Sequence, residues 1–312
     1  MVKLVRVSSI SFSGAGRGSS IKETVERNVK AMTSLLERAS LDKPHIVCFP
    51  EASPMLGLSI KEAIEAAREF GSHLLETFSS LASKFGFYLV CPMMEEKDGL
   101  VYNSAIFFSK NGELLGSYYK VHPTISEIEG GITPGKEAKV FDLEFGKVGA
   151  AICFDLNFMD VAEGLYRQRA RLVFFPSMYP GGLQLSCWAI QYGFYMVSAY
   201  TGEGSIIINP LGRILARSDA YNPIICEDIN LDYGVFHIDY NHEKWIPMKR
   251  KYGHGVRLEV SRPEAIFLLE SFIEGITVEQ VKEEFQLEPR EEYFLRACVV
   301  RERALAKLGS RD

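Results

Sequence analysis

The chain has 312 residues, of which 47% are apolar and 24% charged, with a formal net charge of -5. That much apolar material builds a sizeable core and excludes a disordered or fibrous chain. The slightly acidic balance carries no basic stripe, which argues against nucleic-acid binding, and no apolar run is long enough to span a bilayer.

Residues 1–7 alternate apolar and polar side chains and read as a first strand; they show no secretory h-region or cleavage site. A Gly/Ser loop over residues 13–19 leads to Ser20-Ile21-Lys22-Glu23, which has the form of a capping box. Ile21, Val25, Val29, Met32 and Leu36 then recur at helical spacing. His45–Phe49 is a short apolar run, read as a buried strand, and it stops at Pro50-Glu51. Residues 60–84 read as a long helix and Phe87–Cys91 as another buried strand. Lys110-Asn111-Gly112 between two apolar runs predicts a hairpin joining 104–109 to 113–119. Strand 147–153, helix 159–169, strand 172–175, helix 183–195 and strands 196–199, 205–209 and 213–217 follow. Strands mixed with helices and hairpins predict a layered α/β fold with helices outside. From residue 261 the chain reads as a helical, charged extension, with Thr277 capping one helix and Pro289 opening another that presents Phe294, Cys298 and Leu305. The expected domains are therefore 1–260 and 261–312.

Cys48, Cys91, Cys153, Cys187, Cys226 and Cys298 are scattered and form no Cys-x-x-Cys pair. They read as reduced thiols of a cytoplasmic protein, and no metal or other cofactor is expected.

Three polar residues end apolar strands: Glu51, Lys120 and Cys153. Strand ends are where an α/β sheet holds reactive side chains rigidly. A cysteine at a strand-to-helix turn is placed for attack, and the helix N-terminus favours its thiolate. Singly, each has an ordinary reading: an inert core thiol, a capping carboxylate, a solvated strand end. Their order along the chain changes that.

Phe49-Pro50-Glu51, Tyr118-Tyr119-Lys120-Val121-His122 and the segment 151–158 around Cys153 resemble, in this order, the catalytic segments of the carbon–nitrogen hydrolase (nitrilase) superfamily. Tyr102-Asn103-Ser104-Ala105, Thr133-Pro134-Gly135, Phe175-Pro176-Ser177 and Asn209–Arg213 add to the likeness, which covers about residues 1–240. The resemblance implies a four-layer α-β-β-α sandwich and a Glu-Lys-Cys site that needs no metal. It makes Glu51 the base, Cys153 the nucleophile, and Lys120 with the backbone N–H of Phe154 the oxyanion holders. It also implies a second Glu; Glu129, before Gly130, is preferred, with Glu127 as the alternative. Phe154 stands where nitrile-cleaving members usually carry Trp, which favours a small amide or N-carbamoyl (ureido) substrate over a nitrile.

Tyr179 is a candidate substrate-binding residue, and Trp188 reads as core. His122 is near Lys120 in sequence but reads as structural. Asn157-Phe158-Met159-Asp160 departs from the Arg-Phe-Pro-Glu frequent in the family, so the substrate class stays open. A catalytically silent scaffold is the remaining alternative. A homodimer or larger homo-oligomer is expected, without nucleic acid or membrane as partner.

Overall fold

The computed structural model describes residues 4–309. They form two compact units, residues 5–229 and residues 230–309 together with Leu4, described separately below.

In the first unit, β1 (Leu4–Ile10), α1 (Ile21–Ser40), β2 (Ile46–Cys48), α2 (Ile60–Phe85), β3 (Tyr88–Lys97), β4 (Leu100–Phe108), β5 (Leu114–Tyr119) and the short α3 (Ile125–Glu129) come first. Next are β6 (Val140–Leu143), β7 (Gly146–Ala150), α4 (Met159–Arg167), β8 (Leu172–Ser177), α5 (Leu183–Tyr192), β9 (Tyr195–Tyr200), β10 (Ile206–Ile208), β11 (Ile214–Arg217) and β12 (Ile224–Asn230). Two six-stranded sheets result, with strand orders β12-β1-β2-β3-β4-β5 and β11-β10-β9-β8-β7-β6. Each is mixed: β1-β2-β3 and β7-β8-β9 run parallel, and the hairpins flanking them are antiparallel.

Most residues of the parallel strands are buried because both faces of each sheet are covered. Val25, Met32 and Leu36 of α1 and Leu74 and Phe78 of α2 pack against Val47, Phe49 and Leu89 on the outer face of the first sheet. Leu165 of α4 packs on Gly149 of β7, where a Cβ would come within 2.4 Å of it. Between the sheets, Phe107 stacks on Phe141 at 4.1 Å. Ser9 Oγ donates to the Ser198 carbonyl at 2.6 Å, and Ser11 Oγ meets the hydroxyls of Ser205 and Ser218 at 2.7 and 2.8 Å. This is the expected α-β-β-α sandwich.

Local signals account for the joints. Ser20 accepts from the Glu23 N–H at 3.1 Å, as expected of an N-cap, but the Glu23 carboxylate reaches one residue further back, to the Ser19 N–H at 2.6 Å. The Asn111-Gly112 turn closes the β4–β5 hairpin and is tied to α2 through Ser79 Oγ, which donates to the Gly112 carbonyl at 2.5 Å. The longer β3–β4 hairpin turns at Asp98-Gly99, with φ of 53° and 79°. Asp-Gly suits such a turn, and the pairing follows from it.

The second unit holds β13 (Tyr233–His237), α6 (Trp245–Tyr252), β14 (Val256–Ser261), β15 (Ile266–Ser271), α7 (Val278–Phe285) and α8 (Arg290–Gly309). It corrects the sequence reading twice. The division falls at residue 229/230 rather than 260/261, and the segment after 260 is not all helical. β15 is the central strand of an antiparallel sheet ordered β13-β15-β14, and its residues are buried throughout. Ile266-Phe267-Leu268-Leu269 is too short a run for periodicity to separate a strand from a buried helix. Phe236, Met248, Val256, Phe267, Leu269 and Val281 form this unit's own core. Thr277 caps α7 by accepting from the Gln280 N–H, as expected.

Candidate active site

Glu51, Lys120 and Cys153 sit at ends of β2, β5 and β7, all within the first unit. Glu51 leaves β2 through Pro50, whose carbonyl accepts from Ser53 Oγ at 2.7 Å, and its side chain is 3% exposed. Lys120, 1% exposed, is held by its main chain: its N–H donates to the Asn103 carbonyl and its carbonyl accepts from the Gly135 N–H, each at 2.8 Å. Gly135 is required by close approach, since a Cβ there would lie 2.2 Å from the Tyr119 carbonyl oxygen.

Cys153 opens a 3-10 turn, Cys153–Asn157, and has φ of +49°. A non-glycine residue in this region is strained, and strain of this kind gathers at functional turns. Asp155, fully buried, pins the turn. Its Oδ2 accepts from the Ile152 N–H at 2.8 Å and the Tyr118 hydroxyl at 2.7 Å, and its Oδ1 accepts from the His122 N–H at 2.8 Å. Burial pushes the Asp155 carboxyl up to about 6, against the pull of these three donors.

The Lys120 ammonium donates to Glu51 Oε1 and to Glu127 Oε2, both at 2.8 Å. Glu51 Oε1 also accepts from Asn103 Nδ2 at 2.8 Å, and Glu51 Oε2 accepts from the Met178 N–H at 3.1 Å. Glu127 Oε1 accepts from the same Asn103 Nδ2 at 2.8 Å, and Oε2 from the Thr124 N–H at 2.7 Å. Burial raises the Glu127 carboxyl, but Lys120 and the donated hydrogen bonds outweigh it and hold the group below its ordinary value. Burial lowers the Lys120 ammonium, and Glu51, Glu127 and Cys153 outweigh that and raise it. Lys120 therefore stays charged and both carboxylates have donors.

The Cys153 thiol is pushed up to about 12, first by burial and next by the charge of Glu51, with Lys120 and the Met178 N–H pulling the other way. This departs from the thiolate expected of a helix N-terminus: the turn is a short 3-10 segment, and burial beside a carboxylate dominates.

Of the two candidates for a second Glu, Glu127, the alternative in the sequence reading, is the one whose carboxylate reaches Lys120, and the preferred Glu129 does not. Glu127 stands third after the N-cap Thr124 of α3, in a capping box, which turns its carboxylate inward toward Lys120. Glu129 is exposed on the same helix. Two residues along a helix face different directions, so only one of the pair can reach Lys120. Phe154 is partly buried and meets Phe158 edge-on at 5.2 Å. Tyr179 packs edge-on to Phe175 at 5.9 Å, and its buried hydroxyl has no partner of hydrogen-bond geometry, although Asn157 acts on it. Burial and next Cys153 push that hydroxyl up to about 12. Trp188, 3% exposed, is core as expected. The His122 ring stacks on Phe158 at 3.8 Å and pairs with Asp160 at 2.9 Å.

Asn103 and Asp155 stand in the motifs that carry the resemblance but are not read there as site residues, and the Met178 N–H is not foreseen. Asn103 and Asp155 carried a signal: a buried amide within an apolar strand, and a carboxylate three residues after the residue whose N–H it accepts. Among the described residues no His, Cys, Asp and Glu side chains gather as a metal site, and no helix is long and apolar enough to cross a membrane.

Residues 14–235 match the family model described as carbon-nitrogen hydrolase. The human protein named omega-amidase NIT2 is 29% identical over 245 residues, spanning 68% of this chain and 85% of its own length. Omega-amidase NIT2 of Xenopus tropicalis is 26% identical over 255 residues, 73% of this chain and 90% of that protein. Among solved structures, Saccharomyces cerevisiae Nit3, of the nitrilase superfamily, superposes with a TM-score of 0.63 at 23% identity, covering 73% of this chain and 90% of its own. An amidase from Nesterenkonia sp. does so with a TM-score of 0.65 at 18% identity, covering 80% and 96%. At these identities the two structures speak for the sandwich fold alone.

Proposed function

The chain belongs to the carbon–nitrogen hydrolase family and is an enzyme acting on carbon–nitrogen bonds other than peptide bonds, and on that premise we propose that it is a thiol amidohydrolase cleaving the terminal carboxamide of a small molecule. The observation that carries this reading is the buried Lys120 bridging Glu51 and Glu127 at 2.8 Å beside the strained Cys153. The relatives named omega-amidase support a carboxamide over a ureido group.

A thiol that holds its proton at neutral pH needs a base at the moment of attack. Glu51 takes the Cys153 proton while sulfur attacks the carbonyl carbon. The oxyanion so formed is met by the Lys120 ammonium and the Phe154 N–H, a role worth about 3 kcal/mol per donor in comparable sites. The C–N bond breaks, and the leaving nitrogen takes the proton from Glu51 and departs as ammonia. Water then gives a proton to Glu51 and attacks the thioester; sulfur leaves, regains the proton, and the acid is released. Glu127 keeps Lys120 charged and aimed. Tyr179 and Phe154 are read as lining the substrate side, with the Tyr179 hydroxyl beside Asn157 as the polar group there.

Ammonia release from short primary amides, dicarboxylic acid monoamides, N-carbamoyl amino acids and nitriles tests this. Release from an amide, lost by about a thousandfold or more in Cys153→Ala, is the expected result. Release from a ureido acid alone would move the substrate class, and release from a nitrile would overturn the weight given to Phe154. We also read the protein as a homodimer or larger homo-oligomer, supported by the exposed Leu295, Val299 and Val300 of α8.

A further inference from the structure

The two carboxylates of the site share a neutral donor. Asn103, 1% exposed on β4, sends the two N–H bonds of one Nδ2 to Glu51 Oε1 and Glu127 Oε1, each at 2.8 Å. Its main-chain carbonyl accepts from the Lys120 N–H at 2.8 Å. One residue thus touches all three charged members of the cluster. Ionised carboxylates only accept, so the amide has one workable orientation. Turning it over would set Oδ1 against two carboxylate oxygens. Oδ1 itself is buried without a partner, so the carboxylates alone orient the group.

Charge counting shows why such a donor is needed. Lys120 brings one positive charge to two carboxylates, all of them buried. The excess negative charge is met by neutral N–H groups: Met178 on Glu51, Thr124 on Glu127, and Asn103 on both. Of these neutral donors, Asn103 alone uses a side chain and, like the Lys120 ammonium, ties the two carboxylates to each other.

We propose that Asn103 is a positioning residue that holds the acceptor oxygens of Glu51 and Glu127 correctly spaced around Lys120, so that Glu51 can act as base. This deepens the amidohydrolase reading and rests on it. The titratable groups facing Glu51 are Lys120 after β5, Glu127 on α3, Cys153 after β7 and Tyr179 after β8, with Asp155 behind Cys153. None of them replaces the donors that Asn103 supplies.

The test compares Asn103→Leu, which removes the donors at similar volume, with Asn103→Ser, which keeps one hydroxyl donor. Two pH profiles are read for each: kcat and KM on the amide substrate, and the rate of Cys153 alkylation by iodoacetamide followed by mass spectrometry. Losing a hydrogen bond to a charged group moves a carboxylate upward, so the acid limb of both profiles rises by about one pH unit in Asn103→Leu. The expected kcat falls about 10–100-fold with KM changed less than about threefold, and Asn103→Ser lies between. Folded variants whose acid limbs stay at the wild-type position overturn the proposal. So does an activity loss that only tracks the folded fraction. Should wild type cleave no amide while the alkylation limb still moves in the variants, the positioning role stands and the amidohydrolase reading falls. An active wild type with unmoved limbs leaves that reading intact and removes the positioning role.

Discussion

With its thiol pushed up to about 12, Cys153 carries a proton at neutral pH, and the proposed reaction therefore rests on how Glu51 and its neighbours are held. Glu127 and Glu129 separate cleanly at this scale. In Glu127→Gln an NH2 replaces an oxygen that now accepts from Asn103 or from Lys120 and Thr124, and Lys120 loses a counter-charge. We expect kcat/KM to fall about 10–100-fold, and Glu129→Gln to stay within about twofold, in steady-state assays. Asp155 gives a pH prediction. Its folded value of about 6 lies above the unfolded value of about 3.9, so the native state takes up this proton first as pH falls. The stability it contributes is present at low pH and is lost as pH rises through the folded value. Asp155→Asn cannot titrate, so the gap in thermal midpoint between wild type and variant should widen from about pH 8 to about pH 5. A gap that narrows instead would mean the three donors hold Asp155 ionised more firmly than burial opposes it.

At the scale of elements, the site is set by how closely strand ends approach. Gly135 lies flat against Tyr119, one residue before Lys120. A methyl group there meets backbone, which does not rotate away, so Gly135→Ala must displace either the Thr133–Gly135 segment or the end of β5. The expected cost is about 1–3 kcal/mol in denaturant unfolding, with kcat reduced beyond the loss of folded protein because Lys120 moves with its strand. The inter-sheet serines act differently. Ser9, Ser11, Ser205 and Ser218 meet each other or main-chain carbonyls. Buried hydroxyls that pair with one another favour a single alignment of two sheets that apolar packing alone would let slide.

For the whole molecule, the prediction concerns self-association. On α8, Phe294, Leu295, Val299, Val300, Leu305 and Leu308 are between 44% and 68% exposed. So many large apolar side chains on one surface helix favour association. Sedimentation should show wild type as a dimer or larger, and Leu295→Glu combined with Val299→Glu should yield a smaller species. A wild-type monomer would contradict the oligomer reading.

The residue types, their order and the layered α/β class were legible in the chain itself. Apolar runs ending at Glu51, Lys120 and Cys153 are local patterns, and local patterns survive without knowledge of distant contacts. Capping at Ser20 and Thr277 and the Asn111-Gly112 turn belong to the same kind. Other features depended on partners far away in sequence. Glu127 rather than Glu129 faces Lys120 because α3 is anchored by its cap at one particular rotation. Asn103 gains its meaning from carboxylates 52 residues before it and 24 residues after it. β15 is a strand because β13 and β14 flank it, which its short apolar run does not reveal. Cys153 keeps its proton because burial and Glu51 meet at one point, and desolvation is a property of the packed structure rather than of any neighbour in sequence.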